Sequence, residues 1–268
     1  NYYPECWTAA FLDKEPESRK EAAISLAQKH GFNIKDININ TSTAQWEIAE
    51  DGKTLIQPFS SIKGLGDKAV EQIISNRPYN TVEELLFDEK SKLNKKSLDV
   101  LCRSGALDSL IDDRFNGCKH FWMACIQDRP KTAKKLVEKI KEHALEEDFS
   151  IEEKIDHVSS LTGIFPFNLV MTKPIRESIQ RYMVPPIGTW DKDLGVAWFI
   201  PREIIPKVTK NGKPYWIVKV IDDSSSSVAI KCWGIRDHDQ IHINRPYAAK
   251  LDYNEDWGFS TRSIRHTF

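Results

Sequence analysis

The chain has 268 residues, with 38 Lys and Arg against 39 Asp and Glu, and its formal net charge of −1 gives no whole-chain attraction to nucleic acid or membrane. Any polyanion contact must therefore come from a local arrangement of charge, and no run of about 18 apolar residues is present to span a bilayer. The five cysteines, Cys6, Cys102, Cys118, Cys125 and Cys232, contain no Cys-x-x-Cys pair, so they indicate neither a disulfide scaffold nor a zinc site. With 40% hydrophobic residues the chain can fill the cores of two or three domains, and with no signal peptide visible the expected location is the cytoplasm, that of the host if the source is viral.

From the start, a short apolar helix is predicted around Cys6 to Leu12 and an amphipathic one over Glu17 to His30, closed by Gly31. Gln45 to Ala49 and Thr54 to Gln57 read as two short strands joined by the turn Glu50-Asp51-Gly52-Lys53.

Residues Ile62 to Ile73 read Ile-Lys-Gly-Leu-Gly-Asp-Lys-Ala-Val-Glu-Gln-Ile, the pattern of a helix-hairpin-helix. Gly64 and Gly66 leave room for an anion to approach the backbone, Leu65 anchors the turn, and a helix opening near Asp67 adds its positive end. Lys63 and Lys68 flank that point with full charges. Contacts of this kind position a nucleic-acid backbone without reading bases. An ordinary helix corner with strain-relieving glycines is the alternative.

A degenerate second copy follows. Thr81 caps a helix at Val82 to Phe87, with Glu84 completing a capping box. Asn94, Lys95 and Lys96 then open a further helix that leads through Arg103 to a turn at Gly105, an arrangement that offers cations to a second phosphate or is simply a solvated helix end.

From Asp112 to about Pro186 the pattern is helical. Phe115, Cys118, Phe121, Trp122, Cys125 and Ile126 form an apolar stripe for a core, and Lys131, Lys134, Lys135, Lys139 and Lys141 give one helix a basic face, either solvated or tracking a duplex.

The last region alternates as strands, starting at Gly195 to Phe199, Tyr215 to Ile221, Val228 to Trp233, Tyr247 to Leu251 and Phe259 to Ile264. Five short strands suit an oligonucleotide-binding (OB) barrel. One parity (Trp216, Val218, Val220, Val228, Ile230, Cys232) would fill it, while Tyr215, Lys219, Lys231 and Trp233 would lie outside, rings beside lysines, as single-strand binding requires. Lys207, Lys210 and Lys213 are assigned to the first inter-strand loop. For the aromatics, core packing remains the competing reading.

No histidine sits at metal-ligand spacing from Cys or carboxylates, Asp191-x-Asp193 and Asp237-x-Asp239 lie in polar stretches, and Ser224 to Ser227 have no catalytic partner. No catalytic residue, metal site or cofactor is therefore assigned in this chain.

Taken together, Tyr3-Pro4-Glu5, Asp36-Ile37-Asn38-Ile39-Asn40 to Ser42, the lead-in Ile56 to Ser61, the glycine hairpin, and Leu161-Thr162-Gly163-Ile164-Phe165-Pro166-Phe167-Asn168-Leu169 resemble, in order, the alpha subunit of bacterial replicative DNA polymerase III, the C family of polymerases. The family's usual His-Pro pair is missing from the last of these segments.

The resemblance implies a multi-domain α+β architecture, mainly α-helical over its first two-thirds with a tandem helix-hairpin-helix, followed by a small five-stranded OB-fold barrel. Its expected boundaries are 1–50 (end of the fingers), 51–111 (hairpins), 112–188 (helical connector) and 189–268 (OB-fold). It implies a non-catalytic DNA-binding role, gripping primer-template duplex and single-stranded template. Nucleotide transfer and its Mg2+ would belong to the aspartates of a palm in another polypeptide or segment, this chain being a carboxy-terminal part or a piece of a divided polymerase. The family's glutamine-led clamp peptide is not matched by His143 to Phe149, which occupies about that place, so a sliding clamp is left as an open partner. A repair or recombination accessory protein with the same modules, or a barrel that binds protein, are the alternative functions.

Overall fold

A computed structural model describes residues 4–89, 93–223, 227–234 and 241–266. Tyr3, most of the serine run at 224–227, and Asp237, His238 and Asp239 lie outside the described residues. The chain divides into two compact units, one of residues 1–27 and 31–165, the other of 28–30 and 166–268. None of the described helices is long and apolar enough to cross a membrane.

In the first unit α1 (Pro4–Lys14) and α2 (Glu17–Lys29), the latter belonging to this unit as far as Ala27, bury Ala9, Leu12, Ala23, Ile24 and Ala27 against Trp46 and Leu55. The predicted strand pair is present as β2 (Glu47–Ile48) and β3 (Thr54–Ile56), antiparallel, with Asp51 Oδ1 accepting from the Lys53 and Thr54 amides at 2.8 and 2.7 Å. A strand that the sequence pattern did not indicate, β1 (Asn33–Lys35), adds parallel to β3, giving the order β1-β3-β2.

Beyond a single 3-10 turn at Phe59–Ser61 come α3 (Asp67–Asn76), α4 (Val82–Phe87) and α5 (Lys95–Arg103). Thr81 caps α4, its Oγ1 accepting from Glu84 N at 3.3 Å, while the Glu84 carboxylate reaches back to the Asn80 amide at 2.6 Å. Asn40 clips the α3–α4 connection by exchanging two hydrogen bonds with the Tyr79 backbone, at 2.7 and 2.8 Å, and Arg77 donates to Ser42 O at 2.6 Å. The Asn38–Ser42 segment thus fixes the far end of α3.

Next come α6 (Cys118–Trp122), running on into a π-turn at Met123–Gln127, then α7 (Ala133–Glu142) and α8 (Ile151–Thr162). A capping box between Ser150 and Glu153 starts α8. One apolar core runs from Ile37 to Leu161, taking in Phe59, Ile62, Val70, Ile73, Leu98, Leu101, Phe121, Cys125 and Leu136. The hairpin helices and the Phe115–Ile126 stripe therefore bury against each other.

The second unit opens with α9 (Phe167–Val170) and α10 (Lys173–Arg181) and continues as a curled sheet. Its strands are β4 (Val196–Val208), β5 (Pro214–Ile221), β6 (Val228–Trp233), β7 (Tyr247–Lys250), β8 (Asp252–Asn254), β9 (Gly258–Thr261) and β10 (Arg265–His266), in the order β10-β7-β4-β5-β6-β9-β8. Among the described residues there are seven strands where five were expected: β8 follows directly on the expected fourth strand, after Leu251, and a short β10 is added. Among the described residues these strands pair antiparallel except β6 with β9, and β4 also makes an isolated parallel bridge from Trp198 to Pro186. β7 pairs with β4 while β8, next in the chain, pairs with β9, so the run 247–254 meets both ends of the sheet path.

Strand β4 is much longer than expected. Its 13 residues pair first with β7 (Val196 to Phe199) and then with β5 (Ile200 to Val208), and a bulge between Pro201 and Glu203 turns it from one partner to the other. Val218, Val220, Ile230 and Cys232 are fully buried, with Trp216 and Val228 packed against them, the inward parity read from the sequence.

Candidate nucleic-acid interface

The hairpin turn is built by its neighbours. Ile62 and Val70 bury into the core on either side, and Leu65, half-buried, packs against the same core, so the segment between them is pushed outward. Lys63, Gly64, Gly66, Asp67 and Lys68 are all exposed. Gly64 has φ +87°, a left-handed conformation that a Cβ resists, and Gly66, extended at φ −86°, is the N-cap of α3.

The hydrogen bonds decide what the turn can do. Lys63 N–H donates to Leu161 O at 2.8 Å, tying the turn to the end of α8, and Leu65 N–H closes on Ile62 O at 3.2 Å. Among the described residues the amides of Gly64, Gly66, Asp67 and Lys68 have no acceptor. Those groups stand at the positive end of α3, which is where an anion is stabilised. Lys96 from α5 joins them, its Cε lying 3.7 Å from the point a Gly64 Cβ would occupy. The structure thus brings Lys63, Gly64, Leu65, Gly66, Asp67, Lys68 and Lys96 into one patch.

The rest of the second copy is arranged differently. Asn94 caps α5, Oδ1 accepting from Ser97 N at 2.8 Å, and Lys95 Nζ donates to Gln127 O at 2.9 Å. Arg103 is ion-paired with Asp99 at 2.6 Å, and Asp99 also accepts from Trp122 Nε1 at 2.8 Å. Gly105, at φ +84°, donates to Cys102 O while Ala106 donates to Leu101 O, both at 3.0 Å, which closes the C-terminal end of α5. Arg103 and Gly105 lie at the other end of α5 from Lys96, and a nine-residue helix is about 13 Å long.

On the outer face of the sheet, cross-strand register aligns Lys207, Tyr215 and Trp233 in one row over β4, β5 and β6. The rings of Tyr215 and Trp233 stack at 4.6 Å with 24° between planes, and both residues are half-buried. Ile205, Ile217 and Lys231 form the next row, and Glu203, Lys219 and Ala229 the one after. Lys219 is paired with Glu203 at 2.7 Å, so its charge is locally offset. Lys207, assigned to a loop by sequence, is on β4, and only Lys210 and Lys213 occupy the exposed turn to β5. The reason is the length of β4, which the pattern Ile-Pro-Arg-Glu-Ile-Ile-Pro concealed: prolines at 201 and 206 read as strand ends and are instead accommodated at the bulge and near the strand terminus.

Two exposed aromatics of the β8–β9 hairpin, Tyr253 on β8 and Trp257 in the turn, were not singled out by sequence reasoning, although rings in a polar stretch are a usable signal. Tyr253 rests on Phe259, centroids 5.0 Å apart. In the first unit, Phe149, at the end of the segment in the clamp-peptide place, meets His157 edge-on at 4.8 Å and Trp122 at 5.8 Å. Asp128, Glu142 and His143 offer ligand atoms close together, but Lys139 Nζ sits among them, 3.2 Å from Asp128 and 2.7 Å from Glu142.

An exposed two-glycine turn capping a helix, with open amides and a lysine rim, defines a helix-hairpin-helix element. In agreement, residues 31–116 match the family model of the helix-hairpin-helix motif. The same region is similar to the PolC-type DNA polymerase III of Lacticaseibacillus paracasei (31% identity over 88 residues, 32% of this chain and 6% of that protein). It is similar also to the PolC-type enzyme of Bacillus subtilis (32% over 109 residues, 38% and 7%) and to the DNA polymerase III alpha subunit of Pseudomonas aeruginosa (27% over 120 residues, 41% and 10%). These matches span a tenth or less of each relative. The hairpin region is thus similar to a stretch of DNA polymerase III alpha and PolC-type proteins, in line with the resemblance noted in the sequence.

Proposed function

We propose that this chain is the DNA-gripping, non-catalytic part of a C-family replicative DNA polymerase. The observation that carries this reading is the exposed Gly64–Lys68 turn, whose four unengaged amides and rim of Lys63, Lys68 and Lys96 form an anion site at a helix start. Phosphate is the anion that a duplex backbone offers at regular spacing, and backbone amides hold it without regard to sequence. That suits a protein that must slide along its product.

In the second unit the strand path supports an OB-fold: β4, β5 and β6 antiparallel in series, β6 parallel to β9, β9 antiparallel to β8, and β7, continuous with β8, returning to β4. On this reading Lys207, Lys210, Lys213 and Lys231 track a single-stranded template and the Tyr215–Trp233 pair presents an outer ring face on which a base stacks. Lys219, balanced by Glu203, contributes least. Nucleotide joining and its Mg2+ fall to a palm outside this chain, in the cytoplasm, and the primer-template and palm are its partners.

The test is fluorescence anisotropy with a labelled primer-template duplex across a salt series. The double variant Gly64→Val/Gly66→Val is expected to lose duplex binding with helicity unchanged by circular dichroism, and unaltered affinity would overturn the assignment. Lys207→Glu/Lys210→Glu/Lys213→Glu should independently weaken a labelled single strand. Capture of the matching palm-bearing polypeptide separates a polymerase part from a repair accessory.

A further inference from the structure

We propose that Cys102 and Cys118 are an oxidisable thiol pair that closes to a disulfide under peroxide, fastening the end of α5 to the start of α6. Their sulfur atoms lie 3.9 Å apart, one on each helix and 16 positions apart in sequence, so the bond of about 2.05 Å needs an approach of only about 2 Å. The surroundings give the two thiols different parts. Cys118 is half-buried at the first position of α6 and open to a small oxidant, whereas Cys102 is 1% exposed in the hairpin core.

The chemistry balances with hydrogen peroxide as the two-electron oxidant. Cys118 sulfur attacks a peroxide oxygen, the O–O bond breaks, and a sulfenic acid and one water form. Cys102 sulfur then attacks Cys118 sulfur, the S–O bond breaks, and the Cys102 thiol proton leaves with the hydroxide as a second water. The hydrogen bond with Cys118 and, next, burial hold the Cys102 thiol well above its ordinary pKa, so it is protonated in the resting chain and inert toward peroxide itself, and its attack on the sulfenic sulfur proceeds only as its proton passes to the departing hydroxide. Cys125, fully buried and raised by desolvation, is a bystander.

The link would join α5, which carries Lys96 beside the Gly64 turn, to the helical frame behind it. It rests on the thiol geometry alone and stands whether or not the turn binds DNA.

The experiment treats the full chain with hydrogen peroxide and maps peptides without reduction, reading the exposed Cys6 separately. The expected result is a Cys102–Cys118 linked peptide as the main product, two hydrogens lighter and released by dithiothreitol. Cys102→Ser, or Cys102→Ala should the serine unfold the core, should leave a Cys118 sulfenic acid that dimedone captures. Wild-type Cys118 advancing to sulfinic acid with Cys102 still reduced, or staying unmodified while Cys6 reacts, would overturn the proposal.

Discussion

Two glycines in the hairpin region, Gly64 and Gly105, share φ values of +87° and +84° and a basic neighbour one or two positions before, yet they sit at opposite poles of helices. Gly64 precedes the start of α3, where backbone N–H groups are left over, while Gly105 follows the end of α5, where carbonyls are left over. The first pole attracts phosphate and the second repels it. At Gly105 the amides of Gly105 and Ala106 are already engaged with Cys102 and Leu101, and the Asp108 carboxylate lies 3.4 Å from the place of a Cβ. A glycine beside a lysine or arginine is therefore not by itself an anion site; the direction of the helix it adjoins decides.

The largest effect we expect tests whether the two turns hang on one frame. Leu98 is fully buried on α5 between them, and Leu98→Ala should cost about 2–5 kcal/mol by chemical denaturation. A loss well under that range would mean that α5 does not carry both.

Next in size is the comparison of the glycines themselves. Gly64→Ala and Gly105→Ala should each cost about 1–2 kcal/mol of stability, since both place a Cβ in a left-handed conformation. Only Gly64→Ala should also weaken duplex binding. Gly66→Ala sharpens the point, because Gly66 is extended and nothing lies within 4 Å of its Cβ. Its stability should be unchanged, so any loss of affinity reports closeness of phosphate to the backbone.

This contrast also marks what could be read from sequence. The first turn was legible because glycine spacing, flanking lysines and an apolar rhythm agree on one local structure. The role of Arg103 was not, since its partner Asp99 and the Trp122 indole that shares that carboxylate meet only in the folded core. The inward parity of β5 and β6 followed from alternation, whereas β4 was cut short because its prolines look like strand breaks until the bulge is seen. β1 escaped notice for a different reason: three residues cannot establish a period.

A smaller effect separates the cations. Lys63→Ala and Lys96→Ala should each lower the slope of log affinity against log salt by about one contact's worth, roughly 0.9 for a duplex. Arg103→Ala should leave that slope alone and instead cost about 1–2 kcal/mol of stability, because Asp99 loses a charged partner while half-buried. Were Arg103→Ala to flatten the salt dependence instead, the second hairpin would reach DNA after all.

The mildest lever is acid, and it acts on the frame. Glu83 is held below the usual carboxylate range by its hydrogen bond from Arg114, 2.6 Å away. For Asp148 burial pushes upward, but the amides of Lys119 and Phe149 and the ammonium of Lys154 outweigh it and the net shift is down. With folded-state values depressed, the folded protein holds fewer protons than the unfolded chain at mildly acid pH. Their contribution is complete above the ordinary carboxylate values, near pH 4, and is lost as pH falls through the lower folded-state values. The share of the melting temperature due to Glu83 and Asp148 should therefore be flat from pH 8 to about 5 and drop below about pH 4, while Asp108, pushed up to about 6 by burial, acts in the opposite sense between about pH 4 and 6. Arg114→Ala should shrink that acid drop by returning Glu83 toward its ordinary value, while duplex affinity at pH 7 stays put. If that variant lost affinity too, the open amides at Gly64 would depend on charges well outside their own turn, and the distinction between the two poles would no longer be local.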